Sequence, residues 1–228
     1  MIANASEERV TMKVTASKKI AKMLLDIGAV KLSVEKPFIW TSGIESPIYC
    51  DNRIINSIVN VRSEVITEFS NIILKNFLEN EKKVDIIAGI ATGGITYGAL
   101  VADRLQLPFI YIRAERKTHG LMKVIEGDYA PGDRIVLIED HISTGSSSLR
   151  AVDHARDEQL EVVGLLSIMT YNFNIAENEF KSKGVEHGSI CDLDTILEVA
   201  LSEGRLSQRD VQTILKFRAN PKDPSWKN

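Results

Sequence analysis

Long apolar runs are missing from this sequence of 228 residues. No stretch approaches the roughly eighteen apolar residues that a membrane-spanning helix needs. Residues 1–14 also lack the basic start and apolar centre of an export signal. Cysteine is scarce, because Cys50 and Cys191 are the only two and they have no metal-binding spacing. These absences predict a cytoplasmic protein without membrane association, in which both cysteines are reduced thiols.

An excess of positive charge is absent as well. The 28 Lys and Arg residues against 31 Asp and Glu residues give a net charge of −3, so the sequence predicts no general attraction to nucleic acid. The glycines show neither a Walker phosphate loop nor the GxGxxG spacing of dinucleotide folds. A hydrophobic fraction of 44% and this length instead suit one globular α/β domain over residues 1–228.

The most informative stretch is residues 134–150, RIVLIEDHISTGSSSLR. Its apolar run predicts a strand covered on both faces, as in a parallel sheet, and Glu139 and Asp140 follow at the strand end where ligands of such sheets bind. A loop of small hydroxyl residues then leads into a helix predicted from Ser147, whose N-terminus suits an anion such as phosphate. The structural alternative is that the acids merely precede the helix and that Ser143 or Ser147 only caps it.

The acidic pair beside this phosphate loop needs an explanation, because carboxylates repel phosphate. The conflict disappears if the ligand is a sugar phosphate. Glu139 and Asp140 would then accept hydrogen bonds from ribose hydroxyls, directly or through Mg²⁺ and its waters, while the loop binds the 5′-phosphate. The stretch therefore predicts a site for a phosphorylated sugar.

Strand and helix patterns alternate through a core of about residues 84–172, which predicts a parallel sheet flanked by helices. Short strands separated by turns predict a small β-rich lobe at about residues 28–55. Helices are predicted to dominate from Ala176 onward, and the polar tail 220–228 is predicted to fray. His154 in a helix and His187 in a loop are predicted to be surface or packing groups.

Two loops interrupt the core pattern. The glycines of residues 89–95 let the main chain approach a ligand closely, although a tight turn alone would also explain them. Residues 114–132 show no periodic pattern and follow Arg113 in a locally basic region, since residues 113–123 carry four cations and one acid. A loop of this length inside a compact domain predicts either a lid or a solvated loop, and Gly120 and Gly127 would permit hinge motion.

Residues 134–150 resemble the phosphoribosyl pyrophosphate (PRPP) signature of the type I phosphoribosyltransferases. Two further patterns are similar to the orotate-using branch of that family, namely SG..SP.Y.D.R at residues 42–53 and R…K.HG at residues 113–120. The likeness covers about residues 15–175. It implies the type I phosphoribosyltransferase fold, an α/β fold with a parallel sheet flanked by helices and a small hood lobe. Residues 28–55 and the C-terminal helices would form that hood.

The resemblance also implies roles for individual residues. Arg113, Lys117 and His119, in a loop that is mobile in the family, would be the catalytic residues and would contact the departing pyrophosphate. Orotate would be bound by Tyr49, Cys50, Arg53 and Ser143. The remaining PRPP-binding residues implied by the family are Thr92, Gly93, Glu139, Asp140, His141, Ile142, Ser143, Thr144, Gly145, Ser146 and Ser147.

The sequence departs from relatives at several of these places. Some relatives carry a Lys where this chain has Thr41 or Gly93, and many carry a second basic residue where it has Ala114. Most relatives show Gly where it has Ser146, and some place an Arg near the position of Tyr171. Pyrophosphate binding at Gly93 would therefore use main chain alone, and base recognition would depend on the hood and Ser143.

The implied reaction is transfer of the phosphoribosyl group from PRPP to orotate with Mg²⁺ as cofactor. The ion would be carried mainly by PRPP, with no direct protein ligand and with Glu139 and Asp140 acting through water. In the family the mobile loop reaches the neighbouring subunit, which implies a homodimer. The alternatives are a phosphoribosyltransferase for a purine or uracil, and a non-catalytic PRPP-sensing regulator.

Overall fold

The computed structural model describes residues 17–40, 42–79, 83–113 and 124–227. The strands in these ranges are β1 (Val30–Leu32), β2 (Phe38–Ile39), β3 (Glu45–Ser46), β4 (Ile48–Cys50), β5 (Ile86–Ile90), β6 (Phe109–Ile112), β7 (Ile125–Glu126), β8 (Arg134–Ile142), β9 (Glu161–Thr170) and β10 (His187–Asp192). The α-helices are α1 (Lys18–Asp26), α2 (Val59–Ile73), α3 (Gly93–Leu105), α4 (Ser146–Asp157), α5 (Asn174–Ser182), α6 (Leu193–Ser202) and α7 (Gln208–Ala219). A π-helix (Leu74–Leu78) and two 3-10 helices (Asn52–Ser57, Pro224–Lys227) complete the set.

The central sheet has the strand order β10-β9-β8-β5-β6-β7. Adjacent strands in this sheet are parallel, except that the edge strand β7 runs antiparallel to β6. The predicted α/β fold with a mostly parallel sheet is confirmed. Because the parallel strands point the same way, the loops after β5, β6, β8 and β9 meet at one edge of the sheet.

Alternating residues of β8 face two hydrophobic cores. Val136 and Ile138 belong to the core shared with α1, α2, α3, α6 and α7, whereas Ile135 and Leu137 belong to the core under α4 and α5. A strand covered on both faces reads as a continuous apolar run, as this one does. The alternation also decides the directions in which the acids at the end of β8 point.

The β-rich part of the predicted hood consists of two small antiparallel pairs, β1 with β4 and β2 with β3. Trp40, directly after β2, donates from its indole Nε1 to the carbonyl oxygen of Ile48 at 3.0 Å. Its ring also packs against Tyr171 after β9 and Phe217 in α7, at centroid distances of 5.4 and 5.9 Å. Aromatic packing therefore joins this β-rich part to the sheet edge and to the C-terminal helices.

The C-terminal tail is anchored, so the prediction that it frays is wrong. Trp226 is only 3% exposed and packs edge-on against Phe217, with ring centroids 5.6 Å apart. Lys227 forms an ion pair with Glu45 of β3. One buried indole outweighs the polar composition of residues 220–227, because burying an aromatic ring removes a large apolar area from water.

Two predicted loops contain regular structure. Ile125–Glu126 pairs with β6 within the stretch predicted to be without structure, and residues 187–192 form β10. His187 therefore begins a strand, and the prediction of a loop there is wrong. Its ring is buried and stacks on Phe180 at 4.2 Å, while its Nε2 lies 3.2 Å from Glu177 Oε1. The predicted packing role of His187 fits this environment.

Side chains cap the starts of three α-helices. Ser17 caps α1, Asp192 caps α6, and Ser207 with Asp210 forms a capping box at α7. In each case a side-chain oxygen accepts from a main-chain N–H that lacks an intrahelical partner. Among the described residues, no helix combines the length and apolar character required to cross a bilayer.

Candidate active site

The two acids at the end of β8 point to opposite sides of the sheet. Glu139 lies on the α4 side, where its Oε2 accepts from the Ser148 hydroxyl at 3.4 Å. Asp140 lies on the α3 side, where its carboxyl group packs against Gly93. Adjacent residues of a strand face opposite ways, so the acidic pair supplies two carboxyl groups in different surroundings.

Glu139 is buried, at 5% exposure. Burial, followed by the negative charge of Asp140, raises the pKa of Glu139 well above its ordinary value. Its Oε1 accepts from the Asp140 main-chain N–H at 3.0 Å. The hydrogen bond to its Oε1 helps to fix the main chain at the strand end.

Asp140 favours the charged form. Burial acts to raise its pKa, but hydrogen bonding and the charge of His141 outweigh burial and hold the pKa of Asp140 below its ordinary value. Its Oδ1 accepts from the His141 main-chain N–H at 2.8 Å and lies 3.2 Å from the imidazole Nδ1. Burial likewise opposes charge on His141, yet Asp140 leaves the pKa of His141 raised. The pKa values of the two neighbouring acids are therefore shifted in opposite directions.

The loop after β8 has the features of an anion site. Gly145 is the N-cap of α4 with a φ of 77°, and no side chain caps the helix. The alternative in which Ser143 or Ser147 merely caps this helix is therefore wrong. The first turn of α4 offers N–H groups without intrahelical partners at the positive end of the helix dipole. The hydroxyl groups of Thr144 and Ser146 lie 3.1 Å apart beside them.

The glycine loop after β5 lies directly against the acid. Gly93 begins α3, and a Cβ added there would overlap the Asp140 carboxyl group. A Cβ on Gly94 would overlap the carbonyl oxygen of Ile138 in β8. These glycines bring α3 onto β8, a structural use beyond ligand access. Thr92, which precedes α3, follows a cis peptide bond from Ala91.

The hood segment, residues 42–53, also reaches the end of β8. Asn52 donates from its side-chain Nδ2 to the main-chain oxygen of Asp140 at 2.8 Å. The neighbouring Arg53 donates to the Asp51 carboxyl group from both Nε and Nη2, at 2.7 and 3.1 Å. These hydrogen bonds are the main reason that the pKa of Asp51 lies below its ordinary value. Cys50 ends β4, and burial raises the pKa of its thiol well above the ordinary value. The segment thus brings a cationic group to the acidic strand end.

Comparisons with known proteins match this arrangement. The family described as phosphoribosyl transferase domain matches residues 62–200. An orotate phosphoribosyltransferase of Bacteroides fragilis is 44% identical over 201 residues, which cover 88% of this chain and 93% of that protein. One from Halalkalibacterium halodurans is 40% identical, covering 92% and 98%. The chain belongs to the orotate phosphoribosyltransferase family.

A solved structure in this family shares the fold. The crystal structure of orotate phosphoribosyltransferase from Aeropyrum pernix matches with a TM-score of 0.68 and 29% identity, covering 82% of this chain and 99% of that one. Because this match covers 82% of the chain, the similarity extends beyond the residues 62–200 that the domain family matches.

The structure brings together most of the described residues to which the family resemblance assigns roles. Residues 139–147 and Gly93 form one edge, and the hood segment is bonded to it through Asn52. Ile142 is buried in β8, and its carbonyl oxygen accepts from the Tyr171 N–H at 2.9 Å. Tyr49 lies in β4, where its ring packs near Phe38 at 5.6 Å.

Arg113 follows β6 at the same edge of the sheet, but its side chain is engaged elsewhere. Its Nε lies 3.5 Å from Glu126 Oε1. A main-chain hydrogen bond links the end of β6 to the glycine loop, since the Ala91 N–H donates to the Ile112 carbonyl oxygen at 2.8 Å. Lys117 and His119, the other two predicted catalytic residues, lie outside the described residues, as do Thr41, Ala114 and Gly120.

Sequence reasoning missed the residues that hold the site segments together. Asn52 sits inside the hood pattern, between the matched Asp51 and Arg53, so its position was the available signal. No sequence pattern indicated a role for Tyr97, because an aromatic residue on the apolar face of a helix is usually part of the core. Its hydroxyl donates to the Asn52 main-chain oxygen at 2.6 Å.

Proposed function

We propose that this protein transfers the phosphoribosyl group of PRPP to N1 of orotate, giving orotidine 5′-monophosphate and pyrophosphate. The reaction supplies a precursor of UMP in pyrimidine synthesis. The observation that carries the proposal is the hydrogen bond between Asn52 and Asp140. It joins the hood segment with the orotate-type pattern to the acidic strand end and the anion loop of a sugar phosphate site.

The chemistry follows from the charges at this edge. Breaking the bond between C1 and pyrophosphate develops positive charge on the ribose and negative charge on the leaving group. The Asp140 carboxylate lies where the sugar would bind and stabilises the positive charge. The N–H groups at the start of α4 bind the 5′-phosphate. Main chain at Thr92 and Gly93, together with Arg113, Lys117 and His119, receives the pyrophosphate.

Orotate would bind between the hood and the strand end, through Tyr49, Cys50, Arg53 and Ser143. Arg53 is supported by its geometry, because a guanidinium held by Asp51 keeps donors that suit the planar carboxylate of orotate. The N1 position of orotate is weakly acidic, so the attack requires no strong base. The hood residues need only to place the ring against C1 of the sugar.

Mg²⁺ fits this site as an ion delivered with PRPP. Within the part of the chain that the structure describes, no group of three or more His, Cys, Asp or Glu residues could hold a metal ion. The Asp140 carboxylate, kept charged by His141, matches the oxygen ligands and bound waters that Mg²⁺ prefers. When bound, the ion would neutralise charge on the pyrophosphate, with Glu139 and Asp140 contributing through water.

The assay that tests this proposal follows the loss of orotate absorbance in the presence of PRPP and Mg²⁺. We expect orotate to be consumed and pyrophosphate to be released in equal amounts. Adenine, hypoxanthine and uracil offered in its place should not consume PRPP. Consumption of PRPP with one of these bases alone would assign the site to another phosphoribosyltransferase. PRPP binding without turnover of any base would indicate a regulator.

Replacing Lys117 with alanine should lower turnover by about tenfold or more, equivalent to about 1.4 kcal/mol of barrier. The lysine is proposed to stabilise the charge on the departing pyrophosphate, so thermal stability should not change. Steady-state kinetics and thermal unfolding measure the two effects, and the exposed Lys36→Ala is the matched control. Turnover equal to that of the control would remove the loop of residues 113–120 from the mechanism.

A homodimer with shared loops is part of the proposal. It is supported by the family resemblance and by Val59 and Leu100, exposed apolar side chains that line one groove between α2 and α3. Free thiols at Cys50 and Cys191 support a cytoplasmic location.

Mixing two inactive variants tests the shared loop. If Lys117 acts in the neighbouring subunit, mixed dimers of Lys117→Ala and Asp140→Asn contain one site with both residues intact. Random exchange at equal concentrations should then restore about a quarter of wild-type activity. Each variant incubated alone under the same conditions is the control. No recovery, despite subunit exchange shown by a tagged copy, would contradict loop sharing.

A further inference from the structure

Asn52 is an unusual residue to find in a protein core. Its side chain is fully buried, at 0% exposure, and its Nδ2 donates to the Asp140 main-chain oxygen. Its Oδ1 is also buried and accepts no hydrogen bond from the described residues. Burying an unpaired amide oxygen costs about 1–3 kcal/mol. An apolar residue of similar size would fill this space without that cost. The hydrogen bond from Asn52 Nδ2 to Asp140 is therefore the feature that distinguishes asparagine at this position.

Tyr97 fixes the main chain of the same residue. Its hydroxyl donates to the Asn52 carbonyl oxygen at 2.6 Å, and the ring is fully buried in the core between α3 and the sheet. Burial, the largest cause, raises the pKa of Tyr97, so the hydroxyl stays protonated and available as a donor. Tyr97 lies one turn after Gly93, the residue that packs against Asp140.

These contacts form a closed set. Gly93 contacts the Asp140 side chain, Asn52 contacts the Asp140 main chain, and Tyr97 returns from the helix of Gly93 to Asn52. Three segments distant in sequence are thereby held in one geometry: the glycine loop, the acidic strand end and the hood segment. Asp51 and Arg53 flank Asn52 directly, so the position of Asn52 sets where they stand relative to the sugar site.

We propose that Asn52 and Tyr97 are positioning residues that set the base-binding hood segment relative to the sugar-phosphate site. This inference rests on the proposed function, because it concerns the alignment of orotate with the donor. Neither residue needs to touch a substrate. Misplacement of reacting groups by about 1 Å is enough to cost on the order of a hundredfold in rate, so two hydrogen bonds at this junction have a measurable effect.

The variant Tyr97→Phe tests the inference, because it removes the hydroxyl and keeps the ring in the core. The matched control is Ser70→Ala in α2, which removes another buried hydroxyl that donates to a main-chain carbonyl, at 2.8 Å. Both variants lose one buried hydrogen bond and should lose similar thermal stability, equivalent to about 1 kcal/mol. Steady-state kinetics against each substrate then separates positioning from stability.

We expect Tyr97→Phe to raise KM for orotate about tenfold and to leave KM for PRPP within about twofold of wild type. Ser70→Ala should change neither constant, because a loss of folded protein lowers the maximal rate without altering KM. Asn52→Ala should show the same split with a larger rise in KM for orotate. Equal KM values for Tyr97→Phe and Ser70→Ala would overturn the inference and leave the proposed reaction standing. A wild-type protein that does not consume orotate would overturn both.

Discussion

Replacing Asp140 with asparagine is expected to lower turnover of PRPP and orotate about a hundredfold, equivalent to about 2.7 kcal/mol of barrier. The reason is the charge of this side chain, which His141 maintains by holding the pKa of Asp140 below its ordinary value against the effect of burial. Asparagine has the same shape and keeps an oxygen for the His141 N–H. The substitution therefore removes negative charge from the proposed sugar site with little disturbance of the strand.

The control for this variant is Asp157→Asn, at the exposed end of α4. It removes the same charge from the same strand-loop-helix unit, away from the site, and should leave turnover within about twofold of wild type. Thermal unfolding should show both variants within about 3 °C of wild type. If Asp140→Asn turned over as fast as Asp157→Asn, the assignment of Asp140 to the developing charge would be wrong.

Replacing Gly94 with alanine is expected to lower the unfolding temperature by about 10 °C or to prevent folding. An added Cβ would overlap the carbonyl oxygen of Ile138, a main-chain atom in the middle of the sheet. To relieve the overlap, α3 must move away from β8. Overpacking of this kind costs about 1–3 kcal/mol or more, and in a protein of this size each kcal/mol shifts the unfolding temperature by about 2–4 °C.

Gly204→Ala is a useful comparison for this prediction. A Cβ there meets no atom within 4 Å, but φ is +70°, so the variant bears only the backbone cost of about 1–2 kcal/mol. Circular dichroism during heating should show a clearly smaller shift for Gly204→Ala than for Gly94→Ala. A Gly94→Ala protein that unfolds within about 3 °C of wild type would contradict the close packing of α3 on β8.

The parts of the site that are contiguous in sequence could be predicted from it. Residues 134–150 place a buried strand, two acids, a small-residue loop and a helix start in a row, and local rules fix their order in space. The structure adds a division that the sequence could not show. Glu139 and Asp140 look equivalent in the sequence, yet burial and His141 shift their pKa values in opposite directions.

Features that depend on distant contacts could not be predicted. The glycines at 93 and 94 have low helix propensity, but α3 begins there because only residues without a Cβ fit against β8. Trp226 lies in a polar tail, and its burial depends on tertiary contacts such as the one with the Phe217 ring. Tyr97 and Asn52 meet across 45 residues, so no local pattern identifies the hydrogen bond that joins the hood to α3.

The most direct measurement is a crystal structure of the protein with PRPP and Mg²⁺ bound. We expect the 5′-phosphate against the N–H groups of residues 143–147, the ribose hydroxyls at the end of β8 where Glu139 and Asp140 lie, and the pyrophosphate along Thr92 and Gly93. Density for PRPP at another place, or this strand end closed by its own side chains at saturating PRPP, would contradict the account.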